Sequence, residues 1–320
     1  MLVGLVIVAL AIAAVLGGMI AFGTGKAPPP MNSLGEPLSH VDFSQLPKAQ
    51  FLAARDGTKL AYRFYPGPST VKTECVVILI HGATASSPSM HALAMALAAQ
   101  GMSVYSLDMR GHGDSGRRGD IDYPGQLDDD LSEVVSFVKS RHPSTPVTLV
   151  GFSAGGGFAL HAAATPLGRA FDRIVLLAPM LGVDAPMTKQ EGSNALVKPF
   201  VPRIIAIALL NRLGIHAFDH LQVLAFGNFH RPELTPNYSF LLMRGFATTD
   251  YADDVRRAQA PLAVVVGTND EFFTASAYAP ALNALRPGIP VRVMPGLTHI
   301  GLIVDPSAVP VIIAAIHGQI

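Results

Sequence analysis

Hydrophobic and polar positions divide the chain into three regimes. Residues Leu2 to Phe22 run for 21 positions without a charge. As a helix rising about 1.5 Å per residue, that run would cross the roughly 30 Å hydrocarbon core of a bilayer. From Ala27-Pro28-Pro29-Pro30 to about Lys48 the chain is rich in Pro, Ser and Gly and has no clear period, the mark of an extended tether. From Phe51 onward, short apolar runs alternate with helical stretches. Phe51 to Tyr65 predicts a hairpin turning at Asp56-Gly57. Strands are predicted over 74–81, 103–108, 147–152, 173–179, 261–267 and 290–295, with helices over 88–100, 124–142, 154–165, 274–285 and 305–317. Several strand runs are rich in Val, Ile and Leu and lack strict alternation, which suits parallel strands covered on both faces. Strands interleaved with helices predict the α/β class, with a mostly parallel central sheet flanked by helices.

One interval breaks this rhythm. About 80 residues separate the strand ending near Pro179 from the one starting at Pro261, and they include the apolar segment Ile204 to Leu210. A gap so long predicts an inserted helical cap instead of a loop. The organisation expected is a transmembrane anchor or signal sequence over 1–23, a linker over 24–50, a core in two parts over 51–180 and 261–320, and a cap or lid over 181–260. The first run has no Lys or Arg before it and exceeds the about 7–15 apolar residues of a signal peptide, which favours a single-pass N-terminal anchor through residues 2–22. Ala21-Phe22-Gly23 leaves cleavage open. Lys26 and Lys48 follow the run and only the amino group precedes it, a slight bias toward a cytoplasmic core that leaves the side of the membrane open.

Composition narrows the partners. Lys+Arg and Asp+Glu both number 23, so the basic excess of a nucleic-acid binder is missing. Half the residues are hydrophobic, enough for a sizeable core. A single cysteine, Cys75, sits in the apolar run before Ile80; it excludes an internal disulfide and reads as a packing residue. No Cys/His cluster has the spacing of a zinc site.

Candidate chemistry begins at Gly151-Phe152-Ser153-Ala154-Gly155-Gly156-Gly157. A serine on a sharp strand-to-helix turn needs small residues two before and two after it, and Gly151 and Gly155 meet that need. The turn exposes the hydroxyl above the sheet, at a helix N-terminus that favours developing negative charge. A serine hydroxyl needs a base, and the base an orienting acid. In this architecture the chain order is Ser, Asp or Glu, then His. Asp270 and His299 follow predicted strands in that order, at the sheet edge where open α/β sheets hold their sites. Glu271 is the alternative acid; Asp270 occupies the first position after the strand. The N–H groups of Ala83, in the first glycine-marked turn, and of Ala154 are candidate oxyanion donors. His81 precedes the serine and reads as a packing residue beside that turn. Gly111-His112-Gly113-Asp114-Ser115-Gly116 matches a dinucleotide fingerprint in letters only, because Arg117-Arg118-Gly119-Asp120 follows as loop where a helix should open. The arginines are expected to hold this loop or its neighbours by hydrogen bonds.

Taken together, Ile80-His81-Gly82, Asp108 to Ser115, Gly151 to Gly155, Asp270 and His299 resemble the α/β-hydrolase fold. Within it they are similar to the branch of monoacylglycerol lipases, lysophospholipases and serine aminopeptidase-like hydrolases. The resemblance covers about residues 51–317. It implies Ser153 as nucleophile, His299 as base, Asp270 as acid, Ala83 and Ala154 as the oxyanion hole, the 180–260 stretch as a cap over the pocket, and no metal or organic cofactor. Many members of that branch have His before the serine and Met after it, where this chain has Phe152 and Ala154, so the subfamily is open. Epoxide hydrolases and haloalkane dehalogenases of the fold use an Asp nucleophile. Dehalogenases and proline iminopeptidases of the fold commonly rely on tryptophan near the site, and this chain has none. The expected activity is cleavage, through an acyl-enzyme, of carboxylic esters that are lipid-like, such as a monoacylglycerol or lysophospholipid, or that carry another apolar acyl group. Acyl transfer, amide or peptide cleavage, and a non-catalytic membrane-tethered binding module are the alternatives.

Overall fold

Runs of β-branched residues buried on both faces build the centre of the molecule. The computed structural model describes residues 2–68, 74–227 and 233–320; 228–232, inside the predicted cap, lie outside the described residues. The strands are β1 (Gln50–Ala53), β2 (Lys59–Tyr65), β3 (Val76–Ile80), β4 (Ser103–Leu107), β5 (Val147–Phe152), β6 (Arg173–Leu177), β7 (Val197–Pro199), β8 (Gln222–Phe226), β9 (Asn237–Ser239), β10 (Leu262–Gly267) and β11 (Val291–Met294). Eight of them form one sheet in the order β1-β2-β4-β3-β5-β6-β10-β11. β1 and β2 pair antiparallel, as do β2 and β4, and every other pair is parallel. Every residue of β3, β4, β5 and β10 is buried, which is why their sequences do not alternate. The strand order reverses around β3, with β4 on one side and β5 on the other. Ligands of open α/β sheets lie at the C-terminal ends beside such a reversal, and Ile80 pairs with Gly151 there. The last residue of β3 and the approach to Ser153 are thus neighbours by register.

Helices pack on both faces of the sheet and are tied together by charge. Arg110, 3% exposed, grips Asp130 through two hydrogen bonds of 2.7 and 2.8 Å and Asp56 through another of 2.8 Å. It clamps the loop after β4 to the β1–β2 hairpin and to the helix Gln126–Arg141. His161, on the helix Ala154–Ala164, lies 3.5 Å from Asp128 and 3.6 Å from Asp254 on two neighbouring helices. Hydrogen bonding to Asp128 and then to Asp254 raises its pKa to about 10. A histidine raised in the folded state stabilises fully below its unfolded pKa of about 6.5, and that contribution is lost as pH rises through the folded value. The thermal midpoint of the wild type is therefore expected to fall between pH 6.5 and 10, and that of His161→Gln to start lower and change less. Calorimetry of both proteins across that range checks this.

Two expectations need correction. Residues 24–50 are not an extended spacer. Asn32–Ser39 is a helix, Leu34 is buried in the main core, and Met31 and Leu38 pack against it. Met31, Leu34 and Leu38 fall at helical spacing, a short period that the surrounding prolines hide. The insertion between β6 and β10 is not wholly helical either. It holds the helices Gln190–Leu196, Val201–Arg212, Phe240–Gly245 and Tyr251–Arg257, but also an antiparallel three-stranded sheet, β7-β8-β9. Strands of three to five residues leave too little alternation to read.

The N-terminal helix Leu2–Phe22 is, among the described residues, the one long and apolar enough to cross a membrane. Most of it is exposed. Its last turns dock on the insertion: Ile20 is buried with Ala206, Ile207, Val223 and Phe240, with Leu16 and Met19 alongside. Arg203 donates from Nε to the Ile20 carbonyl at 2.8 Å.

Candidate active site

Ser153 occupies a strained turn. Its φ is +55° and its ψ −118°, a region that costs a non-glycine residue of order 1–3 kcal/mol and persists only when the surroundings hold it. Here they do. Its N–H donates to the Leu177 carbonyl, and its own carbonyl accepts from Gly156, Gly157 and Met180. A Cβ on Gly151 would run into the Gly155 carbonyl, and one on Gly155 into the His81 carbonyl. The glycines flanking the serine are therefore a packing requirement of the turn.

Asp270 and His299 follow β10 and β11 and meet each other. Nδ1 of His299 lies 2.7 Å from Oδ2 of Asp270. The other oxygen, Oδ1, accepts the N–H groups of Phe272 and Phe273 at 2.8 and 2.9 Å, so the carboxylate cannot rotate away. Glu271 points elsewhere and accepts the backbone N–H of His299 at 2.9 Å. Of the two candidate acids, only Asp270 reaches the imidazole. Three rings enclose that imidazole: Phe152 with centroids 4.6 Å apart, Phe272 at 4.9 Å and Phe273 at 5.5 Å. Sequence reasoning missed this cage, though Phe152 was visible as a departure from the resembling branch. Ser153 and His299 line one cavity. The hydroxyl makes no hydrogen bond to the imidazole among the described residues; such contacts commonly close only around substrate.

Two backbone N–H groups beside the turn are candidate donors. The helix starts at Ala154, so that N–H has no intrahelical acceptor, and among the described residues neither it nor the Ala83 N–H donates to a protein group. His81 explains how the second donor is aimed. Met109 donates its N–H to His81 Nε2 at 3.1 Å, which leaves Nδ1–H to donate to the Gly82 carbonyl at 2.7 Å. That carbonyl shares a peptide plane with the Ala83 N–H, which must point the opposite way. Burial holds the His81 pKa below the usual histidine range, consistent with a neutral ring that packs and orients.

A further residue supports the same turn from the insertion. Tyr238, on β9, accepts the Thr84 N–H at 2.9 Å and donates to His112 Nε2 at 2.6 Å. His112 is held well below its usual pKa by burial. The glycine-rich stretch Gly111–Gly116 is thus loop, as expected, and its histidine buttresses the Ala83 turn. Arg117 pairs with Asp120, and Arg118 donates to the Gly113 carbonyl at 3.5 Å. Tyr238→Phe leaves a buried N–H and a ring nitrogen unpaired, at a cost of about 1–3 kcal/mol. We expect kcat on a short-chain ester to fall about tenfold with KM little changed, a cost of about 1.4 kcal/mol by the rate arithmetic, which steady-state kinetics would read directly.

The cavity has a volume of about 460 Å³, within the ordinary range for small-molecule sites. It is lined by Ser153, His299 and Ala83, by the apolar Phe272, Ile300 and Ile303, and by Leu196, Glu233 and Leu234 from the insertion. No cluster of His, Cys, Asp or Glu that could hold a metal occurs among the described residues.

A family model described as serine aminopeptidase, S33, matches residues 71–306. The chain belongs to that hydrolase family. Among curated proteins similar to it, the monoacylglycerol lipase of Mycolicibacterium smegmatis is 36% identical over 83 residues, covering 26% of this chain and 30% of that one. The monoglyceride lipase of Rattus norvegicus is 28% identical over 173 residues, covering 54% and 52%. The matched stretches thus span between about a third and a half of those relatives. A solved structure, that of a soluble variant of the monoglyceride lipase of Saccharomyces cerevisiae in complex with a substrate analogue, superposes with a TM-score of 0.63 at 18% identity, over 89% of this chain and 96% of that one. At that identity the likeness establishes the α/β-hydrolase fold alone.

Proposed function

We propose that this protein is a membrane-anchored serine hydrolase that cleaves carboxylic esters with apolar acyl groups through an acyl-enzyme. The observation that carries the reading is the 2.7 Å Asp270–His299 pair opening, beside Ser153, onto one largely apolar cavity. Ser153 Oγ attacks the ester carbonyl and His299 Nε2 takes its proton, while Asp270 holds Nδ1–H and stabilises the imidazolium. The alkoxide of the tetrahedral intermediate accepts from the Ala83 and Ala154 N–H groups. As it collapses, His299 returns the proton to the leaving alcohol. Water then enters, His299 takes its proton, and the acid is released with the Ser153 hydroxyl restored. The largely apolar cavity of about 460 Å³ favours a substrate with one acyl chain, such as a monoacylglycerol or lysophospholipid, and the relatives named monoacylglycerol lipase and monoglyceride lipase support the same class. Leu2–Phe22 would hold the enzyme at the membrane, and resistance of the full chain to carbonate extraction tests this.

The decisive experiment is hydrolysis of p-nitrophenyl esters from acetate to palmitate by the detergent-solubilised full chain, beside covalent labelling with a fluorophosphonate. Ester turnover and labelling that both depend on Ser153 are expected. A folded wild type that neither turns over nor labels would overturn the reading in favour of a binding module. Labelling without ester turnover would move it to amides or acyl transfer.

A further inference from the structure

The segment between the N-terminal helix and the core contributes to the cavity itself. Leu34, Gly35, Leu38, Phe43 and Leu46 all line it, together with Ser153 and His299. None of these five carries a polar side chain. The segment is fastened at both ends. Upstream, Gly25 lies against Lys198 and Phe200, and Pro28 and Pro29 pass against Gly227, all on the insertion. Downstream, the Phe43 ring stacks on His91 with centroids 5.7 Å apart, and His91 Nε2 meets the Asp42 carbonyl at 3.1 Å while its Nδ1 bonds Tyr65 at 3.0 Å. Arg63 donates to the Pro47 carbonyl, and the Asp42 carboxylate accepts from the Ser44 N–H and hydroxyl at 2.8 and 2.9 Å. A chain with so many fixed points on two parts of the molecule is a strap.

We propose that this strap, residues 31–46, is the acyl-binding wall of the site and determines which chain lengths are cleaved. The inference rests on the ester-hydrolase reading and adds its specificity element. A wall with no polar side chain recognises alkyl carbon by exclusion of water alone, and each methylene it fails to accommodate weakens selection for the longer ester, on the order of tenfold or more. The ligand class is therefore an ester whose single chain extends from the Ser153 end past Leu38 and Phe43.

The test uses the full chain in detergent with Leu38→Trp, which fills the cavity, and Phe43→Ala, which widens it. The quantity read is the ratio of kcat/KM for p-nitrophenyl palmitate to that for the acetate. Leu38→Trp is expected to lower this ratio at least tenfold, and Phe43→Ala to change it by a similar factor. Equal changes on both esters, or none on either, would overturn the proposal. Displacement of a fluorescent long-chain fatty acid is measured in parallel, with thermal melts to confirm folding. If the wild type binds that fatty acid and Leu38→Trp does not, while no ester is cleaved, the hydrolase reading fails and the strap stands as a lipid-binding wall. If both variants bind it as the wild type does, the strap is not that wall.

Discussion

Ser153→Ala is expected to lower ester turnover on the order of 10⁶-fold while leaving the fold and substrate binding intact. Removing the nucleophile of a serine hydrolase leaves only what the oxyanion donors and binding contribute, about 10³–10⁴ over water. The substitution is gentle elsewhere, because the turn is held by the Ser153 N–H donating to Leu177 and by the N–H groups of Gly156, Gly157 and Met180 donating to its carbonyl, and not by the hydroxyl. Relief of the strain at φ +55° does not follow, since alanine is no easier there than serine. Turnover of p-nitrophenyl butyrate and a thermal melt of the same preparation check both halves. Retention of more than about a hundredth of the activity, well above that residue of catalysis, would remove Ser153 from the nucleophile's role.

Asp270→Asn should come next in size, with a loss of about 10⁴ in kcat. An amide in that place can present N–H to His299 Nδ1, which then carries the lone pair and leaves the proton on Nε2, the wrong atom to accept one from serine. The two N–H groups of Phe272 and Phe273 that now end on Oδ1 still find an oxygen, so the geometry survives while the tautomer changes. Glu271→Gln supplies the contrast. Among the described residues its carboxylate accepts only the His299 backbone N–H, a bond the amide oxygen can keep, and its effect should stay within about tenfold, the worth of one weakened charge-assisted hydrogen bond. Kinetics of the two variants, with nitrogen NMR of the imidazole tautomer, separate the acid from its neighbour. Equal losses would sink the assignment of Asp270.

How far the sequence could be read follows from which interactions are local. The parallel strands were legible because burial on both faces demands continuous Val, Ile and Leu, and β5 ends at Phe152 as its pattern predicts. The elbow was legible because the small residues it needs sit two positions either side of Ser153. The strap was hidden because its order comes from contacts such as Phe43 on His91 and Arg63 with Pro47, while its own composition reads as spacer. Tyr238 was hidden for the same reason: its bond to Thr84 joins residues 154 positions apart. The phenylalanine before the serine looked like a loss of family character. Against His299 it is one wall of an aromatic cage that packs the imidazole.

The docked end of the N-terminal helix has a consequence for depth. Leu16, Met19 and Ile20 are taken up by the insertion, so only about 14 residues project freely, and at about 1.5 Å each they reach about 21 Å, short of a hydrocarbon core of about 30 Å. With that helix across a bilayer, the missing length has to be made up by the globular part sinking toward the headgroups. The helix Val201–Arg212 and the residue after it are dressed for this, with Val201, Ile205, Leu209 and Leu213 between 41% and 72% exposed at every fourth position. A bilayer that holds the first helix would then meet this apolar face of the insertion as well.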